Sequence, residues 1–132
     1  MKLTIDSIQH INLFEKITRA NVKGCFLNNQ VIFVVEEGHA SKAIGKNGAN
    51  VKRIENMIKK KIKVVEYSKD VLKFVKNLIY PLNASEIKLN EEVIEVSADT
   101  NTKALLIGRN SKNLDHYNDI IKNYFKYEMK VK

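Results

Sequence analysis

From Thr4, which suits a helix N-cap and is followed by Asp6 in the first turn, the apolar positions Ile8, Ile11, Phe14 and Ile17 recur at helical spacing. They predict a helix to about Arg19. The pattern then changes. "VKGCFLN" and "VIFVVEE" are β-branched and aromatic-rich, and read as two strands joined across Asn28, Asn29 and Gln30. A short helix, the turn "GKNG" and a second helix from about Asn47 to Lys60 follow, with Val51, Ile54 and Ile58 on one side. "KIKVVEY" reads as a third strand.

The same order then repeats. "KDVLKFVKNLIY" predicts a helix stopped by Pro81, and "SEIKLN" and "EEVIEVSA" predict two strands around Asn90 and Glu91. "TNTKALLIG" predicts a short helix and "GRNS" a turn. Leu114, Tyr117, Ile121 and Tyr124 mark a longer helix, and "YEMKVK" a last strand. The two turns begin at Gly45 and Gly108, 63 residues apart, and "AIGKNG" matches "LIGRNS". A match of turns inside a match of element order predicts tandem copies of one small domain, residues 1–67 and 68–132. The fold class expected is α+β, of the α/β-sandwich kind: each copy is a three-stranded sheet packed by helices.

The turn is where chemistry is expected. A helix N-terminus presents unpaired N–H groups and the positive end of its dipole, and both attract phosphate. Gly45 and Gly48 carry no side chain to hold a phosphate chain away, so bare main-chain amides at residues 45–48 are expected to face it. Lys46 and Asn47 project outward to neutralise or hydrogen-bond backbone oxygens. Ala43, Ile44 and Val51 offer apolar surface against which bases can lie. Such a device suits a single strand, whose bases are free to face the protein.

Charge supports this placement. The chain has 23 basic and 15 acidic residues, a formal net charge of +8. Residues 1–67 hold twelve basic and six acidic residues, the remainder eleven and nine. Within residues 38–63 lie Lys42, Lys46, Lys52, Arg53, Lys59, Lys60, Lys61 and Lys63 against one acid, Glu55. A basic face of this kind suits a polyanion such as nucleic acid. The run Lys59, Lys60, Lys61 reads instead as a solvated helix end, where cations complement the dipole.

Other classes are disfavoured. No apolar run is long enough to span a membrane, and Asp6, His10 and Glu15 interrupt the stretch where a signal peptide would need an uncharged core. Cys25 is the single cysteine, so an intracellular, cytoplasmic setting is expected, with Cys25 itself a small core residue. His10, His39 and His116 lack ligand spacing, so neither metal nor cofactor is expected. Six residues separate Gly38 from Gly45, where a phosphate-binding loop of the nucleotide hydrolases has four. Asn47 stands where that loop needs Ser or Thr. With no acid pair or triad, an enzyme acting on a small-molecule substrate is not expected. Tyr117, Tyr124 and Phe125 fit helix periodicity and read as core.

"IGKNG" between two helices, in this element order, resembles the KH domain family, whose GxxG loop clamps a short stretch of single-stranded nucleic acid. A helix and two strands before the loop match the type II form. Two such domains over nearly the whole chain resemble the archaeal NusA-like transcription factors. The resemblance implies a clamp at Gly45, Lys46, Asn47 and Gly48, flanked by Lys42, Lys52 and Arg53. It implies a second at Gly108, Arg109, Asn110 and Ser111, followed by Lys112. Ser111 departs from the pattern: it can cap the next helix, but its side chain restricts backbone approach, so weaker binding there, or a role mainly as a packing partner, is expected. The function implied is single-stranded RNA binding in transcription termination or elongation control, with RNA polymerase or the ribosome as candidate partners. The alternative is an adaptor, or a ribosome-associated translation or RNA-processing factor, built on the same folds.

Overall fold

The computed structural model describes residues 4–132. The chain folds as two compact units that divide after Ser68. In the first, α1 (Ile5–Thr18) precedes β1 (Val22–Leu27) and β2 (Val31–Val35). Then come α2 (Ala40–Ile44), a 3₁₀ turn (Lys46–Gly48), α3 (Ala49–Ile58) and β3 (Ile62–Glu66). The second unit repeats this with α4 (Val71–Ile79), β4 (Glu86–Asn90), β5 (Val93–Ser97), α5 (Thr100–Ile107), a 3₁₀ turn (Arg109–Ser111), α6 (Lys112–Ile121) and β6 (Glu128–Val131). This is the α+β architecture of tandem type II KH domains, with helices packed on each of two three-stranded sheets.

The start of α1 is fixed by a reciprocal cap. The Ser7 amide donates to Thr4 Oγ1 (3.1 Å) and the Thr4 amide to Ser7 Oγ (2.8 Å). Its buried stripe differs from the predicted one. Of the predicted positions, Phe14 is buried and Ile11 and Ile17 pack on the core, whereas Ile8 is 44% exposed and Ser7 and Thr18 are buried. The helix is thus rotated slightly, because Ser7 turns inward to complete the cap. Phe14 then stacks on Phe33 of β2 with ring centroids 4.2 Å apart.

In both units the middle strand pairs antiparallel with the strand before it and parallel with the strand after the helices. Cys25 faces Phe33, and Phe33 faces Val64. All five residues of β2 are buried. Parallel neighbours require a long crossover, and this chain makes it from two helices with a tight turn between them. The turn is therefore held at both ends by elements anchored in the core: Ala43 of α2 and Ile54 of α3 are fully buried.

One side chain of each second crossover helix ties it to the strand that follows. Glu55 Oε2 accepts from the Ile62 amide (2.9 Å). Asn118, 63 residues later, accepts from the Met129 amide (2.7 Å) and donates to the Met129 carbonyl (3.1 Å). The helix predicted to reach Tyr124 ends at Ile121, where Tyr124 and Phe125 turn back with their amides on the Ile121 carbonyl. Their rings lie 5.7 and 5.6 Å from Phe74, a packing role. Cys25 is buried at 2% exposure, and burial pushes its thiol up to about 11.

Candidate nucleic-acid interface

The α2–α3 turn has an uncommon backbone. Gly45 sits at φ 80°, ψ 170°, a region open essentially only to glycine. Asn47 (φ 56°, ψ 27°) and Gly48 (φ 74°, ψ 18°) are both left-handed. Asparagine is the non-glycine residue that tolerates this region best, so Asn47 has a conformational role besides its polarity. Two successive left-handed residues cannot be helical, so α3 starts at Ala49 rather than near Asn47.

The α5–α6 turn copies this path. Gly108 lies at φ 74°, ψ 173°, Asn110 at φ 56°, ψ 33° and Ser111 at φ 60°, ψ 19°. Ser111 thus holds a left-handed conformation that costs a side-chain-bearing residue about 1–2 kcal/mol. It occupies the N-cap position of α6 but makes no side-chain capping bond. The expected cap does not form, because an N-cap side chain reaches its acceptor amide from an extended backbone, not a left-handed one.

What holds both turns is a residue the sequence reading missed. Asn50 Nδ2 donates to the Lys42 carbonyl (2.9 Å), and Asn113 Nδ2 to the Leu105 carbonyl (2.8 Å). Each amide crosses the turn and closes it. A Cβ placed on Gly45 would stand 2.9 Å from the Asn50 side chain, and one on Gly108 2.7 Å from that of Asn113. The first glycine of each turn is therefore required by the clasp beneath it. A Cβ on Gly48 would meet nothing within 4 Å, so the second glycine faces open space. The signal was present in the sequence: asparagine stands five residues after the first glycine in both "GKNGAN" and "GRNSKN".

Not every amide of the turn is bare. Gly45 donates to the Ser41 carbonyl (3.0 Å) and Gly48 to that of Gly45 (3.1 Å). Among the described residues nothing accepts from the amides of Lys46 and Asn47. The same division holds in the second turn, where Gly108 and Ser111 donate internally and Arg109 and Asn110 do not.

Lys42, Lys46, Asn47, Lys52 and Arg53 are all exposed around the first turn, as are Arg109, Asn110, Ser111 and Lys112 around the second. None of these six cations forms an ion pair among the described residues. The apolar rim is smaller than expected. Ala43 is fully buried in the core and offers no surface, leaving Ile44, 39% exposed, and half-buried Val51. Ala43 faces inward because α2, only five residues long, anchors to the core through Ala43, with Ala40 packed beside it. Among the described residues no group of His, Cys, Asp and Glu is placed to hold a metal ion.

The KH domain family profile matches residues 9–90, the first unit from α1 onward and the second through β4. The chain belongs to the KH domain family. It is 37% identical over 125 residues to the "Probable transcription termination protein NusA" of Methanococcus vannielii, covering 91% of this chain and 72% of that one. The protein of the same name in Methanocaldococcus jannaschii is 33% identical over 131 residues, with 96% and 72% covered. That of Thermoplasma acidophilum is 30% identical, with 94% and 91% covered. Among solved structures, "Crystal structure of APE1850" superposes with a TM-score of 0.74 at 26% identity, over 98% of this chain and all of that one. These matches to NusA-named relatives span nearly the whole chain, so the second turn, beyond the 9–90 match, lies within the stretch shared with them.

Proposed function

We propose that this NusA-like KH protein binds single-stranded RNA in transcription termination or elongation control. The α2–α3 turn holds the strand's backbone, and the α5–α6 turn holds it more weakly. One observation carries the reading. Among the described residues, 42–53 combine two unengaged amides, a glycine that opens to solvent, and unpaired cations at Lys42, Lys46, Lys52 and Arg53. Phosphate oxygens would take the Lys46 and Asn47 amides, with the cations neutralising the neighbouring phosphates. Bases would lie toward Ile44 and Val51. The role in transcription follows the naming of the relatives, and RNA polymerase is then the natural protein partner.

Replacing Lys46 and Asn47 together by aspartate tests the clamp. The double variant should stay folded and bind unpaired RNA far more weakly, with a shallower dependence on salt. Binding equal to the parent would overturn the clamp. An adaptor would behave differently: its protein partner should remain bound after nuclease digestion, whereas an RNA-held partner is released.

A further inference from the structure

A second feature of the chain suits the same kind of ligand and shares no residue with either turn. Lys73 and Lys76 stand one turn apart on α4, and Tyr80, four residues after Lys76, is its C-cap, so the three form one line. Lys73 and Lys76 are exposed, and Tyr80, at the end of the helix, is 68% exposed. Beside this line α4 and the segment leading into β4 enclose an open groove of about 600 Å³, lined among others by Lys73, Lys76, Tyr80, Asn83 and Glu86. The volume is that of a small-ligand site.

The lining carries two cations, Lys73 and Lys76, and two acids, Asp70 and Glu86. Its two acids are occupied: Asp70 Oδ1 accepts from the Leu72 amide (3.0 Å), capping α4, and Glu86 pairs with Lys88 (3.2 Å). Lys73 and Lys76 form no ion pair among the described residues. Two cations without ion pairs among the described residues, in line with an exposed aromatic ring and beside Asn83 in the same lining, match an unpaired nucleotide strand. Cations take phosphates, a ring stacks a base, and an amide reads a base edge.

We propose that the α4 groove is a second contact for single-stranded RNA, with phosphates on Lys73 and Lys76 and a base stacked on Tyr80. It rests on the reading that the chain holds unpaired RNA. A strand long enough to occupy turn and groove together would gain affinity by their linkage.

The test compares an unpaired oligonucleotide of about four nucleotides, the reach of one clamp, with one of about 20. Both are titrated into the parent, Tyr80→Ala, and the Lys73→Gln/Lys76→Gln pair. All the substituted side chains are exposed, so the variants should keep the parent's circular dichroism and melting. The short strand should bind all three alike. The long strand should lose affinity on the order of tenfold with Tyr80→Ala. With the lysine pair, its log–log salt slope should fall by about 1.4, for two phosphate contacts at about 0.7 each. A long strand that binds both variants as it binds the parent overturns the groove, whether or not a protein ligand is lost instead. Failure of the turn is separately visible. If the Lys46→Asp/Asn47→Asp variant binds as the parent while Tyr80→Ala does not, the groove stands and the clamp falls.

Discussion

Asn50 reaches across its turn to the Lys42 carbonyl at 2.9 Å, and Asn113 makes the same bond to Leu105 at 2.8 Å. The clasp sits directly under the first glycine, and it explains why that glycine and the second one answer to different demands. Asn50→Ala should lower stability by about 1 kcal/mol, the net worth of one hydrogen bond. Asn50→Asp should lower it at least as much, since it sets a carboxylate oxygen against the Lys42 carbonyl. Urea unfolding measures both. Unchanged midpoints would show that the turn closes without the clasp.

The two glycines of the first turn should separate stability from binding. Gly45→Ala meets both a glycine-only backbone, at a cost of about 1–3 kcal/mol, and a 2.9 Å clash with Asn50. Gly48→Ala meets only left-handed strain, about 1–2 kcal/mol, with its Cβ in open space. Thermal melts should rank Gly45→Ala as the more damaged protein. RNA titration should find Gly48→Ala impaired beyond its loss of stability, because its new methyl stands where the strand is proposed to lie. The reverse ranking in melts would contradict the assigned geometry.

Ser111→Gly removes a left-handed strain without changing the path of the second turn. Glycine's greater freedom in the unfolded chain offsets part of the relief, so the expected gain is up to about 1 kcal/mol. The variant should also bind short unpaired RNA more tightly through the second turn. Calorimetric melting and a titration in the Lys46→Asp/Asn47→Asp background check the two effects.

Lys63, half-buried on β3, gives a pH signature. Burial lowers its ammonium to about 8 from the usual 10.5. The folded chain therefore releases this proton before the unfolded chain does, and stability rises with pH between about 8 and 10.5 on its account. Below pH 8 the cost of holding the charge half-buried is fully present. The stability of the parent relative to Lys63→Met should climb through that window, because the opposing losses from Cys25 and Tyr117, whose protons burial retains, occur in both proteins and cancel. A difference that stays flat from pH 7 to 10 would assign Lys63 an ordinary ammonium.

Much of this molecule is legible in its sequence. Element order, the repeat and the placement of the two turns follow from apolar spacing and from the 63-residue offset. What escapes is set by geometry that spacing does not encode. The inward turn of Ser7 depends on a cap closing on Thr4. The burial of Ala43 belongs to a helix too short to show a period. The Asn50 clasp acts on a carbonyl eight residues earlier, which becomes a neighbour only once the turn exists. Ser111 reads as a capping residue until its backbone is seen to be left-handed.

The central claim is that the unengaged amides of Lys46 and Asn47 receive the sugar–phosphate backbone of an unpaired strand. Backbone amide NMR of the labelled protein, titrated with a short unpaired RNA, tests it most directly. The account predicts that the Lys46, Asn47 and Gly48 resonances move first and furthest, saturating together, with a smaller response at Arg109 and Asn110. Saturable binding that leaves Lys46 and Asn47 unmoved while another surface responds would contradict it.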